Sequence, residues 1–228
     1  MLAIKNNAMA DNAARFLGQS YDALAQSVER LSSGLRINSA ADDPAGMTIA
    51  AKLNARSEGM KTALSNIGDA KNLLSVAESG LSKINGILTK MRNLAQQGIS
   101  DTLGDDERTA IQTQLKEYES QIDDTIGQTT WNGDNLVSTS SSMTFQTGAN
   151  SGDTTSFSAV KLVSVTATTN GLNVSSGALS SAAGSTFGTY MASVDAAMDT
   201  ISEKLSNVGS LISKLTFKEE QLGLSGQC

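Results

Sequence analysis

The 228 residues suffice for one or two ordinary domains, but aromatics make up only 4% and proline occurs once. Burial therefore has to come from many helix–helix contacts of Ala, Leu, Ile and Met rather than from a few large aromatic anchors. A formal charge of −6 with no Lys/Arg run argues against a nucleic-acid partner. Histidine is absent and the single cysteine is Cys228, so an intrachain disulfide is impossible and neither a metal nor a cofactor is expected.

The opening MLAIKNNAMADNAARF shows no apolar core or small-residue cleavage pattern of a secretory leader. No window approaches about 18 consecutive apolar residues, so the expectation is no leader and no membrane span. The first element is a helix near 5–35, in which Leu17, Tyr21, Leu24, Val28, Leu31 and Leu35 recur at alternating four- and three-residue steps. Upstream, Ala8, Ala10, Ala13 and Ala14 supply helix propensity but little apolar bulk. Periodicity stops in NSAADDPAG, Asn38 to Gly46, where Pro44 is disfavoured in a helix interior and Asp42 or Asp43 can cap the following helix. The same two carboxylates could be read as an acid/base or metal pair, but no third ligand is near in sequence and capping is the preferred reading.

A helix over 57–98 is expected from Met60, Leu64, Ile67, Ala70, Leu74, Ala77, Leu81, Ile84, Leu88, Met91 and Ala95. Such a helix of about 40 residues extends roughly 60 Å, which implies a rod. The run Asp105, Asp106, Glu107 opens a shorter helix over 105–128, with acid in the first turn complementing the helix dipole. Its seam is Ile111, Leu115, Tyr118, Ile122 and Thr125 or Ile126, and Asn132-Gly133 forms a tight turn after it. Between 136 and 186 the composition shifts to Ser, Thr, Gly and Asn. Alternating runs at Met143–Thr147 and Phe157–Thr166 predict a hairpin near 140–168, and Ser175–Ser185 reads as exposed connector. The last helix, 187–222, carries a heptad seam of Phe187, Met191, Val194, Met198, Ile201, Leu205, Val208, Ile212, Leu215 and Leu222, interrupted only by Glu219. It is expected to pack on the second and third helices. The fold class expected is mainly α, an elongated helical bundle or coiled-coil rod with a small β-hairpin region.

SVERLSSGLRINSAADDPAG, Ser27 to Gly46, resembles the N-terminal signature of bacterial flagellins. The likeness continues through NIGDAKNLLSVAESGLSKINGILTKMRNLAQQ from Asn66, through Gln128 to Gly133, which is similar to that family's NQTxFNG turn, and through MTFQTGANSGDTTSF and the final heptad helix. The resemblance implies an inner-domain helix and connector over 1–43, a helical rod domain over 44–222 and a tail over 223–228. About 20 Ser/Gly-rich residues stand where the family inserts variable outer domains, so a short form is expected. Family chains continue after KEEQLG into a C-terminal helix that pairs with the N-terminal one; here LSGQC ends the sequence, and the expectation is that the 17–35 seam lacks its intrachain partner.

The resemblance implies a non-enzymatic filament subunit, exported by the flagellar machinery and located outside the cell, whose partners are further subunits, the cap and the hook-associated proteins. No nucleic acid and no membrane is among them. The assembly seam it points to is Leu17, Tyr21, Leu24, Val28, Leu31 and Leu35, together with Val194, Met198, Ile201, Leu205, Val208 and Ile212. The alternatives are a hook–filament junction protein and a secreted coiled-coil interaction protein. A zinc-protease insertion, found in some flagellins, would need HExxH, and the chain has no histidine. Arg92 and Leu94 match the family's motif for the innate-immune flagellin receptor. Asn93 replaces the expected acid and Gln114 stands where receptor-engaging members often carry Glu, so weak recognition is expected. Asn173-Val174-Ser175 also fits an N-glycosylation sequon.

Overall fold

The computed structural model describes residues 8–137, 142–158, 172–179 and 184–225. Its elements are α1 (Ala8–Ser33), α2 (Pro44–Gly98), α3 (Asp105–Gln128), β1 (Thr130–Trp131), β2 (Asp134–Asn135), β3 (Ser142–Gln146), β4 (Thr154–Ser158), a 3-10 turn (Ser176–Ala178) and α4 (Gly184–Ser225). Contacts divide the chain into two units, Met1–Glu58 and Gly59–Cys228. The expected boundary at 43/44 is the α1–α2 connector, whereas the division of contacts falls inside α2.

In the first unit α1 ends at Gly34, whose φ of 69° is the left-handed conformation glycine adopts without a Cβ penalty, and its N–H donates to Arg30 O at 2.9 Å. The two aspartates of the connector divide their work. Asp43 is the N-cap of α2, its Oδ1 accepting from Gly46 N at 2.8 Å, and Pro44 occupies the first helical position, where no N–H is needed. A side chain at Gly46 would collide with the Asp43 carboxylate. Asp42 binds the connector together: it accepts from Asn38 N, Ser39 N and Gln26 Nε2, and Arg30 Nη2 lies 3.8 Å away. Those bonds hold its carboxyl below the ordinary range, the Asn38 and Ser39 amides foremost. The second helix thus begins at Pro44 rather than near 57. Ile49 and Leu53 stand at seam spacing before Met60, but the polar Arg56 and Ser57 interrupt the apolar run there, and Met47, Ile49 and Leu53 are all exposed.

The second unit is a three-helix bundle with two small hairpins. Lys71 Nζ reaches Glu219 Oε2 at 2.8 Å and Arg92 Nε reaches Asp195 Oδ1 at 2.7 Å, so α2 and α4 run antiparallel. Gly80 lies against Thr129, making α2 and α3 antiparallel as well, and α3 and α4 parallel. From Ile67 to Ala95 every expected α2 seam residue is buried, while Met60 and Leu64 are half-buried. Leu73, Gly80 and Ile87 add a second buried stripe because α2 serves two neighbours. On α4 the positions seven apart, Phe187, Val194, Ile201, Val208 and Leu215, are all buried, at about 1.5–3 kcal/mol each. Met191, Met198, Leu205 and Ile212 are half-buried; Tyr190 and Ala197 turn inward instead, since the parallel α3 covers that flank. α4 extends at both ends beyond the expected 187–222.

α3 has the expected limits, with Gly104 at its N-cap making no side-chain bond and Asp105, Asp106 and Glu107 in the first turn. At its other end Asn132 and Gly133, with φ of 51° and 89°, make the two-residue turn between β1 and β2. Asn135 Nδ2 donates to Ile126 O and Gly127 O, which satisfies carbonyls left open by the helix end. The β3–β4 pair is antiparallel with Met143 opposite Phe157. Its second strand starts at Thr154 instead of Phe157, because Asp153 closes the turn by accepting from Asn150 N and Nδ2. The remainder of the expected run to Thr166 lies outside the described residues. Asn66 Nδ2 donates to Gln146 O and fixes the hairpin to α2.

The exposed connector expected over Ser175–Ser185 is corrected by the structure where it is described. Within it Ser176 and Leu179 are buried while Ser175, Gly177 and Ser185 are exposed, and Leu172 and Val174 just before it are buried as well. Gln112 Nε2 donates to Ser176 O and Leu179 O, both at 3.1 Å, and so clamps the segment to α3. Composition underestimates a short segment whose backbone is satisfied by side chains of a distant helix.

Candidate assembly surface

The stripe on α1 is formed by the same alternation that buries α4, yet no residue of α1 is buried. Leu17, Tyr21, Leu24, Val28, Leu31 and Leu35 are between 58% and 88% exposed, and Phe16 is 70% exposed beside them. α1 draws on local terms for its helicity: alanines, the Gly34 end, Arg30 in the last turn, and bonds such as Arg15 Nη2 to Asn12 Oδ1 at 2.9 Å. Those terms amount to tenths of a kcal/mol each, whereas covering an aliphatic side chain contributes about 1.5–3 kcal/mol. A helix with this stripe open is a candidate surface for association. Met47, Ile49 and Leu53, which precede the helix expected over 57–98, enlarge the apolar exposure of the first unit. Their signal in the sequence is apolar residues following a capping Asp-Pro.

The α4 half of the expected assembly seam is placed differently. Val194, Ile201 and Val208 are wholly consumed in the core of the second unit, and Met198, Leu205 and Ile212 pack against it. They stabilise that unit itself. Of the three residues implied for receptor contact, Arg92 is paired with Asp195, Leu94 is partly buried against the core, and Gln114 is exposed on α3.

A polar cluster that periodicity does not reveal holds α3, the 3-10 turn and α4 together. Glu119 is 8% exposed; its carboxylate accepts from Ser176 N, from Ser176 Oγ at 3.0 Å and from Tyr190 Oη at 3.2 Å. Burial pushes its pKa up, more than these donors pull it down, and raises that of the Tyr190 phenol. The readable signal is an acid between Leu115 and Ile122 on the apolar side of α3. Its donors, Ser176 N, Ser176 Oγ and Tyr190 Oη, tie the 3-10 turn and α4 to α3. Among the described residues no group of three or more His, Cys, Asp or Glu side chains could hold a metal, and no helix is long and apolar enough to cross a membrane.

Residues 4–142 match the family model of the bacterial flagellin N-terminal helical region. The flagellin of Shigella flexneri is 39% identical over 161 residues, which is 71% of this chain and 29% of that protein. The phase 2 flagellin of Salmonella typhimurium strain LT2 is 37% identical over 158 residues, 69% of this chain and 31% of that one. The chain thus spans under a third of the length of these relatives. The crystal structure of Bacillus cereus flagellin is similar with a TM-score of 0.59 at 23% identity, covering 69% of this chain and 88% of that one. A Vibrio parahaemolyticus protein provisionally described as flagellar hook-associated is similar with a TM-score of 0.69 at 18% identity, covering 82% and 95%. At such identities the last two share the fold.

Proposed function

Since the chain belongs to the bacterial flagellin family, we propose that it is a structural subunit of the flagellar filament, polymerising through its helical rod and N-terminal helix to support swimming. The observation that carries the proposal is the uncovered stripe from Leu17 to Leu35, on a helix whose C-terminal end is closed at Gly34. Helical polymers grow through heterologous contacts that do not close, and a stripe left open on the monomer is what such contacts cover. The family is structural, and catalysis has no part in the proposal.

The fold by itself is compatible with a hook–filament junction role, being shared with the Vibrio parahaemolyticus protein. The family match over 4–142 and the flagellin identities favour the filament. The proposal extends to an extracellular location, to export by the flagellar machinery, to contacts with cap and hook-associated proteins, and to weak engagement of the innate-immune flagellin receptor. Seeded growth followed by electron microscopy tests the filament role: long regular filaments incorporating this chain are expected, and seeds that stay capped and do not lengthen would reject it.

A further inference from the structure

The second unit turns outward two faces of opposite charge. Over Gly59–Gly98, α2 carries Lys61, Lys71, Lys83, Lys90 and Arg92 against Asp69 and Glu78. α3 exposes Asp105, Asp106, Glu107, Glu117, Asp123 and Asp124 against Lys116, while Glu119 and Arg108 are buried. At about 100° per residue, Ser75, Ser79, Lys83, Gly86, Lys90 and Asn93 share one exposed line of α2, on the flank that borders α3, and the exposed Glu78 lies on the other flank. That line holds no carboxylate. The outermost line of α3 is Asp106, Thr113, Glu117 and Asp124, also exposed, and holds no cation. Lys83, Lys90, Glu117 and Asp124 take part in none of the ion pairs among the described residues.

Shape agrees with charge. The α2 line is low because its neutral members are small, and a groove of about 320 Å³ opens there, lined by Ser75, Ser79 and Lys83 on one side and Thr125 and Thr129 on the other. Its floor is shallow where α2 and α3 approach, since a Cβ on Gly80 would stand 2.5 Å from Thr129 Oγ1. The α3 line, by contrast, projects carboxylates on stems. Lys83 is the cation of the groove lining and Lys90 lies two turns further along α2; within the chain neither pairs with Glu117 or Asp124, so both faces are open to a second copy.

We propose that the α2 groove, with Lys83 and Lys90, docks the Glu117 and Asp124 ridge of α3 from a second copy of this chain. The inference rests on the filament reading and deepens it by naming a contact between subunits. In a heterologous interface each copy presents different surfaces to its two neighbours, so complementary faces on one chain are the required arrangement. Opposed charges there set the register and raise the association rate, with a dependence on ionic strength that apolar stripes lack.

The test uses the full chain. A mixture of ¹⁴N- and ¹⁵N-labelled protein at low salt is treated with a carbodiimide, which joins only amines and carboxylates in direct contact, and intermolecular peptides are read by mass spectrometry. Links from Lys83 or Lys90 to Glu117 or Asp124 are expected. In parallel, Lys83→Glu/Lys90→Glu and Glu117→Lys/Asp124→Lys are each expected to slow association about tenfold or more. An equimolar mixture of the two variants, or all four changes in one chain, should restore it. These side chains are exposed, and circular dichroism of each variant checks that the fold is kept. Copies that associate without those links, reversals without effect, failure of the mixture to recover, or absence of any self-association would each overturn the proposal. Linked but discrete oligomers would uphold this contact while rejecting the filament reading; long filaments lacking the links would do the reverse.

Discussion

The ring of Phe187, at the start of α4, occupies the space in which a side chain on Gly98, at the end of α2, would stand. The glycine lets the two helix ends close over a ring that is fully buried. Gly98→Ala should therefore destabilise the second unit by about 1–3 kcal/mol through overpacking, read as a lower denaturant midpoint at unchanged slope. Phe187→Leu should lessen the effect of Gly98→Ala; strictly additive losses would show that the two residues are uncoupled.

The alternation of full and half burial along α4 predicts a graded response. Ile201→Ala should cost about 2–5 kcal/mol, and Leu205→Ala distinctly less, because Leu205 keeps part of its surface in water. Ile201→Asp should unfold the bundle. Equal losses at 201 and 205, measured by urea unfolding, would contradict the packing described.

Glu119 links stability to pH with a definite sign. Its native pKa is raised above the ordinary value of 4.5, so in that interval the folded state holds more protons than the unfolded one, and stability falls as pH rises through it. Glu119→Gln should remove this component, so that the thermal midpoint of the wild type relative to the variant declines from pH 4 upward. Glu119→Leu leaves Ser176 N, Ser176 Oγ and Tyr190 Oη without their acceptor and should cost about 1–3 kcal/mol at every pH.

α1 should behave as a helix held by local terms. Amide exchange over Ala8–Ser33 should be much faster than over Ile67–Ala95, since none of its side chains is buried. Leu24→Asp should leave the unfolding midpoint of the second unit unchanged and stop seeded growth. Growth at the normal rate would show that this stripe has no part in assembly.

Recognition by the innate-immune receptor should be weak, because Arg92 is held by Asp195 at 2.7 Å and Leu94 packs against the core. Asn93→Glu is expected to increase reporter-cell signalling if an acid beside Arg92 is the missing element; an unchanged dose response would locate the deficit elsewhere, with Gln114→Glu as the next variant.

Local features were legible in the sequence because local physics fixes them. The limits of α3 follow from its acidic first turn, the β1–β2 turn from the positive φ that Asn132 and Gly133 tolerate, and the α2 and α4 stripes from a spacing that puts apolar side chains on one face. Even the capping role of the Asp pair was readable, although not that Asp43 caps while Asp42 ties Gln26, Asn38 and Ser39 together. Periodicity states which residues share a face, but not whether anything covers it. Tyr21 to Leu31 and Val194 to Ile201 are written in the same pattern, and only the approach of α2 and α3, distant in the chain, buries the second set and leaves the first in water. The same long-range closure decided Glu119: its partners Ser176 and Tyr190 lie far along the chain, and burial of an acid becomes tolerable only where tertiary structure delivers its donors.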